Sequence, residues 1–340
     1  MIKRIDTENH FASEAWVDAL RKNSSGYPRL TDDPDTKYRL HPAPGSHLGY
    51  RLLDKLLDLD EGRIALLDEA GIDVTVLSLA APGTEPFEPS LGTKVAKATN
   101  DALAEAVDRH PDRYLGYATL APTDADGAAK ELERCVKELG FRGWNTHANF
   151  GDSYIDEKRY WPVLAKAEEL GVPVYLHPTW PIIKEFQTYG MALAGPSFGF
   201  GAETALVAMR LIIGGVFDVF PKLQIILGHY AEGLPFMFDR VDRPYLQGHV
   251  RPDPAVAPVL KRMPSEYLRD NFLASTSGNY SPAAFACTLT AMGAGRMVIG
   301  SDYPFEDMKM CTDFLDAQPM SDAEKEQLYW GTAAKIGMDR

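Results

Sequence analysis

Short runs of β-branched and aliphatic residues alternate with longer stretches of helical periodicity along the whole chain, about eight times over. This alternation is the signature of βα units wound on a parallel sheet, and it restricts the fold more than any other feature. The predicted strands are Ile2 to Thr7, Val74 to Leu79, Tyr114 to Leu120, Gly143 to His147, Val172 to His177, Leu223 to Gly228, Phe272 to Ser275 and Met297 to Gly300. Helical stretches between them include Leu52 to Ala70, Thr93 to His110, Ala125 to Leu139, Trp161 to Leu170, Ala202 to Val216 and Pro282 to Met292. Gly71, Gly140 and Gly171 each follow a helical run, where a left-handed residue closes the last turn. A span of 340 residues without repeats or low-complexity linkers favours an α/β fold, a single (β/α)8 TIM barrel over residues 1–340. A doubly wound sheet is the alternative.

Two segments exceed ordinary loop length. Residues 13–50, with NSSGYPRLTDDPD and LHPAPGSH, read as an insertion loop after the first strand; residues 178–201, with PTWP and GPSFGFG, read as another after the fifth. Both leave from strand C-termini, the face on which barrels build active sites, so lids or substrate loops are expected there. Thirty-five Lys and Arg against 48 Asp and Glu give a formal charge of −13, which makes nucleic acid and anionic membrane poor partners. Cys135, Cys287 and Cys311 lie far apart with no CxxC spacing, which argues against a disulfide framework and fits a reducing cytoplasm. No charged-then-apolar leader opens the chain and no run of about 18 apolar residues occurs, so a soluble cytoplasmic protein is expected.

Polar residues able to bind metal recur where predicted strands end. Glu8 and His10 lie two apart in RIDTENHF, so alternation turns both to one side. His177 ends VPVYLH, His229 ends LQIILGH, and Asp302 ends MVIGSD. One such histidine is ordinarily a hydrogen-bonded packing residue. Imidazoles and carboxylates gathered at several strand ends form instead a nitrogen and oxygen donor set suited to one divalent ion, Zn²⁺ or Mn²⁺, and the absence of thiolate disfavours a structural zinc site.

These residues carry a resemblance. With RIDTENHFA, DLDEGRIALLDEAGID, VPVYLHP, FGFGAET, FDVFPKLQIILGHYAEGLPF, FDRVDR and GSDYPFE in this order, the chain resembles the amidohydrolase superfamily, within it the decarboxylases of aminocarboxymuconate semialdehyde, gamma-resorcylate and 5-carboxyvanillate. The resemblance implies Glu8, His10, His177 and Asp302 as metal ligands, with His229 and Glu232 as a catalytic pair beside them and Asp302 as a second proton carrier. It departs from the superfamily's usual first-strand HxH in having Glu8 first, and in some of these decarboxylases the position of His10 does not ligate. The GWNTH strand offers no bridging lysine, so a mononuclear site and no organic cofactor follow.

What the resemblance implies is nonoxidative decarboxylation of an aromatic acid hydroxylated ortho to its carboxylate. Substrate contacts are expected from His147 at a strand end, from Arg51 and Arg240 as clamps for a second acid group, and from Tyr303 beside Asp302. Trp180, Phe198 and Phe305 are further candidates for walling a flat ring. A homodimer or homotetramer is also implied. Two other readings stay open at this level: metal-dependent hydrolysis of a lactone, ester or amide by activated water, and a barrel that only binds small acids.

Overall fold

The computed structural model describes residues 2–24, 26–44, 46–49, 51–250 and 253–339. Eight parallel strands follow one another in the order of the chain: β1 (Ile5–Phe11), β5 (Val74–Leu79), β6 (Tyr114–Ala118), β7 (Gly143–His147), β8 (Val174–His177), β9 (Ile225–Leu227), β10 (Phe272–Ser275) and β11 (Met297–Val298). The ring closes between its last and first strands, where Thr7 N donates to Ile299 O at 2.8 Å and His10 N to Tyr303 O at 2.7 Å. This closure makes a (β/α)8 barrel and removes the doubly wound alternative, whose sheet would leave both edges open.

The barrel interior is filled. Ile5, Val74, Val76, Leu115, Tyr117, Tyr175, Ile226, Leu273 and Val298 converge from the strands, and Ala333 and Met338 of the C-terminal segment pack against them. Leu77, Leu103, Trp144, Leu164, Leu211 and Phe272 belong to the larger cluster between strands and helices. Parallel strands covered on both faces need apolar residues at nearly every position, which is why most were legible as continuous runs.

The first strand is the exception. It begins and ends later than predicted, so Glu8 and His10 lie inside β1 rather than beyond it; all seven residues of IDTENHF are buried. A bulge between Asp6 and Asn9 shifts its register against β5. Five polar side chains in one buried strand are tolerated because they bond to the neighbouring strands. Asp6 Oδ2 accepts Ser301 Oγ at 2.6 Å and Asn9 Nδ2 at 3.0 Å, while Arg63 donates to Asn9 Oδ1 and to the His10 carbonyl, each at 2.6 Å.

Residues 13–50 hold more structure than a loop. A helix spans Glu14–Lys22, capped by Ser13 Oγ on Trp16 N, and buries Trp16, Val17, Ala19 and Leu20. After it come β2 (Arg29–Asp33), β3 (Lys37–His41) and β4 (Leu48–Gly49), a small antiparallel sheet; positions 25, 45 and 50 of the predicted insertion lie outside the described residues. The helix predicted over Leu52 to Ala70 is broken into Leu53–Leu57 and Glu61–Ala70. Arg63 fills the break: its guanidinium donates to the carbonyls of Lys55 and Asp58 at 2.8 Å each, satisfying backbone groups that the first helix leaves unpaired. Residues 178–201 carry short helices at Lys184–Gln187 and Met191–Ala194 before the long helix Gly199–Ile213 begins.

Candidate metal centre and active site

Four side chains from β1, the end of β8 and the segment after β11 meet at the barrel mouth. One ligand atom from each of Glu8, His10, His177 and Asp302 lies within 4.8 Å of all the others. His10 Nε2 is 3.0 Å from Asp302 Oδ1, and His177 Nε2 is 3.6 Å from Glu8 Oε1 and 3.9 Å from Asp302 Oδ1.

The far side of each ligand is already held. His177 Nδ1 lies 2.7 Å from the Pro178 carbonyl, which only accepts, so Nδ1 carries the proton and Nε2 presents a lone pair. Ser78, the register partner of His10 on β5, engages His10 Nδ1 at 3.0 Å, and Ser275 Oγ donates to Glu8 Oε2 at 2.8 Å. The inward atoms, Glu8 Oε1, His10 Nε2, His177 Nε2 and Asp302 Oδ1, are buried and make no hydrogen bond. Orphaned buried polar atoms are rare, and four that converge from separate strands fit a single divalent cation.

Backbone shape keeps this cluster tight. A Cβ at Gly300 would collide with Ser275 Oγ and stand 2.7 Å from Glu8 Oε2, so only glycine lets the last strand approach the first. Asp302 itself is left-handed, with φ of 58°, and its backbone N donates to Glu8 O at 2.9 Å.

After β9 the chain makes an unusual turn. His229, Tyr230, Ala231 and Glu232 all have φ between 53° and 59°, a left-handed helical turn of four non-glycine residues ended by Gly233. Each costs roughly 1–2 kcal/mol against the right-handed form. The turn folds Glu232 back under His229, where its Oε1 meets Nδ1 at 2.9 Å, and leaves Nε2 facing Asp302 Oδ2 at 3.9 Å. Glu232 is therefore not a solvated carboxylate at a helix start; its side chain is 3% exposed. Asp302 thus shows one oxygen to the other three ligands and the second to His229.

Charge at the site is strongly perturbed. Burial works to raise the Asp302 carboxyl, but the imidazoles of His10, His177 and His229 outweigh it and hold it well below the usual carboxylate range. Burial works to lower His229, yet the charge of Glu232 and the contact with Asp302 carry it well above the usual imidazole value. His177 is raised against burial by Asp302 and Glu8, whereas burial and the neighbouring His177 depress His10.

A cavity of about 560 Å³ opens above these groups, with His177, His229, Glu232 and Asp302 in its lining. Leu40 and Pro42 reach it from β3 and the loop after it, and Trp180, Met191 and Phe198 from the segment after β8. Three side chains expected at the substrate lie elsewhere. Arg51 is exposed and donates to the Asp35 carbonyl at 2.6 Å, tying down the small sheet. Arg240 is exposed on the helix Phe238–Leu246 and does not line the cavity. The Tyr303 ring turns behind the site, its face 5.0 Å from the Arg63 guanidinium, because the left-handed Asp302 swings the chain away from the mouth. Trp180, Phe198 and Phe305 do face the cavity.

His147 is buried beside His177, with ring centroids 5.8 Å apart, and is absent from the cavity lining. Its Nδ1 meets Glu85 Oε1 at 3.0 Å; Glu85 also accepts from Thr84 N and Thr146 Oγ1. Ser78, Ser275 and Glu85 were invisible to sequence reasoning, since a hydroxyl inside an apolar run or an acid in a loop gives no periodic signal.

Comparison with known proteins agrees with this architecture. The amidohydrolase family profile matches residues 5–336. A gamma-resorcylate decarboxylase from Polaromonas sp. is 35% identical over 342 residues, covering 98% of each chain. The crystal structure of 5-carboxyvanillate decarboxylase from Sphingomonas paucimobilis superposes with a TM-score of 0.87 at 33% identity over 99% of both chains. That of a dihydroxybenzoic acid decarboxylase from Polaromonas sp. JS666, with bound manganese and the inhibitor 2-nitroresorcinol, gives 0.84 at 34% identity over 99% of this chain and 97% of the other. By profile, by sequence and by fold, the chain belongs to the amidohydrolase family, on its decarboxylase branch.

Proposed function

We propose that this protein catalyses the nonoxidative decarboxylation of an aromatic acid that carries a hydroxyl ortho to its carboxylate, using one divalent metal ion. The chain is an enzyme of the carboxy-lyase class, as its relatives are. The observation that carries the finer reading is the pairing of four orphaned ligand atoms with a second, acid–base face: Asp302 Oδ2 opposite His229 Nε2, both on the cavity.

Glu8, His10, His177 and Asp302 would hold Mn²⁺ or Zn²⁺, which supplies Lewis-acid attraction for the carboxylate and its ortho oxygen. The chain's own groups manage the proton. Glu232 fixes the His229 tautomer and stabilises its charged form, so Nε2 keeps a proton at neutral pH. His229 and Asp302 together deliver it to the ring carbon bearing the carboxylate. The carbon–carboxyl bond then breaks, its electron pair restores the aromatic ring and CO₂ leaves, so acid anion plus proton become phenol plus CO₂. The Trp180, Met191 and Phe198 wall limits water beside the ring while its aromaticity is interrupted.

The test is to load the purified enzyme with Mn²⁺ or Zn²⁺ and follow CO₂ release from a panel of hydroxybenzoates. Release from an ortho-hydroxy acid, lost at least about 100-fold in Asp302→Asn, supports the reading. One bound metal with turnover of lactones or esters and no CO₂ from any acid would move the assignment to hydrolysis.

A further inference from the structure

The cavity is large for a single substituted ring. At about 560 Å³ it lies mid-range among the roughly 300–1,000 Å³ pockets that bury drug-sized ligands, and a simple hydroxybenzoate leaves part of it empty. Its upper wall is apolar, built by Leu40, Pro42, Trp180, Met191, Phe198 and Phe305. Phe198 and Phe305 keep 55% and 36% of their surface uncovered, so apolar area remains for a ligand to bury.

The charge pattern is one-sided. Among the described residues no lysine or arginine lines the cavity, whereas Glu232, Asp302 and Glu306 do. Glu232 is engaged by His229, and Asp302 by the imidazoles around it. Glu306 makes no ion pair among the described residues, and the two arginines expected as acid clamps are both outside the cavity.

We infer that the substrates are ortho-hydroxylated aromatic monocarboxylates with an apolar ring substituent, alkyl or aryl, and that a second carboxylate on the ring is selected against. The inference rests on the decarboxylase reading for its chemistry. The reacting carboxylate has its place beside the metal ligands. A second one would sit against aromatic walls and Glu306 with no guanidinium to receive it, and burying an unpaired charge is costly. An alkyl group in the same place gains contact, at roughly tenfold or more in discrimination for even one methylene.

The experiment compares kcat/KM for three acids on the metal-loaded enzyme: an unsubstituted 2-hydroxybenzoate, its alkyl-substituted counterpart, and a hydroxylated benzenedicarboxylate. Calorimetric binding of the corresponding phenols gives a readout that does not depend on turnover. The expected result is at least about a tenfold preference for the alkylated acid and the alkylated phenol. Phe198→Ala, at an exposed position, should shrink that preference, and Glu306→Gln should raise the relative turnover of the dicarboxylate. Equal use of plain and alkylated acids, with equal binding of their phenols, would overturn the inference while leaving the decarboxylase reading intact. A preferred dicarboxylate would overturn it too; loss of that preference in Arg240→Ala would place a cation from a second copy of the chain over the cavity. If no acid loses CO₂, the decarboxylase reading fails, and phenol binding alone decides whether the apolar wall selects its ligand.

Discussion

Asp302 has two tasks divided between its two oxygens, and the division is set by a single backbone angle. In the left-handed conformation the carboxylate reaches His10 and His177 with Oδ1 and His229 with Oδ2. The proton balance of the site then depends on Glu232. Because Glu232 and Asp302 raise the pKa of His229, the imidazole keeps its charge through neutral pH and loses it only as pH climbs through that raised value, so kcat/KM should fall on the alkaline side. Glu232→Gln removes the nearer negative charge and lowers this pKa. The falling limb should move to lower pH by about one pH unit or more. A pH profile of kcat/KM checks this, and an unmoved limb would take His229 out of the proton path. Close packing at the last strand makes a second residue-scale prediction. In Gly300→Ala the new methyl must displace Ser275 and Glu8, at a cost of about 1–3 kcal/mol, and bound metal measured by elemental analysis should drop well below that of the parent.

The elements that carry the site differ in how far the sequence discloses them. Strands β5, β7 and β10 could be read to the residue, because buried parallel strands are continuous apolar runs bounded by turn residues. β1 could not: its interior holds Asp6, Glu8, Asn9 and His10, and polarity that serves the site looks like the end of a strand. The helix Glu14–Lys22 was available in principle from Ser13 as cap and the spacing of Trp16, Ala19 and Leu20, but the Pro and Gly of the following residues dominated the reading. His177, His229 and Asp302 were legible as polar residues closing apolar runs. Arg51, Arg240 and Tyr303 were chosen by residue type and adjacency, which say nothing about the direction of a side chain. The left-handed turn at His229–Glu232 had no signal at all, since no local preference places four such residues there; the surrounding structure imposes it. Substitution at Ala231 measures that imposition. In a right-handed helix, alanine to glycine costs about 1 kcal/mol plus about 0.8 kcal/mol for a buried methyl. At φ of 54°, relief of roughly 1–2 kcal/mol offsets this loss. Ala231→Gly should therefore stay within about 1 kcal/mol of the parent in urea unfolding, whereas a loss near 2 kcal/mol would mean that the turn is right-handed in solution.

At the scale of the whole molecule the barrel is closed at one end and charged at the other. Its lower interior is plugged by Tyr117, Tyr175 and Met338, while Glu8 and Asp302 face two imidazoles at the mouth with their inward atoms unbonded. Such a mouth holds the stability of the fold partly in reserve, because a cation bound to the folded chain and not to the unfolded one adds RT ln(1 + [L]/Kd), about 2.7 kcal/mol at a free concentration 100-fold above Kd. For a chain longer than 250 residues each kcal/mol raises the unfolding temperature by roughly 2 °C. Stripping the metal with a chelator should therefore lower the midpoint by about 5 °C at fixed protein concentration and scan rate, and returning Mn²⁺ or Zn²⁺ should restore it. Glu8→Gln keeps the volume and the contact with Ser275 while removing one of the two ligand charges, so the metal-dependent increment should shrink by at least half even if the metal-free midpoint is unchanged. An increment that persists in full in Glu8→Gln would show that the stabilising cation binds away from the barrel mouth, and it would detach the four convergent side chains from the metal chemistry assigned to them.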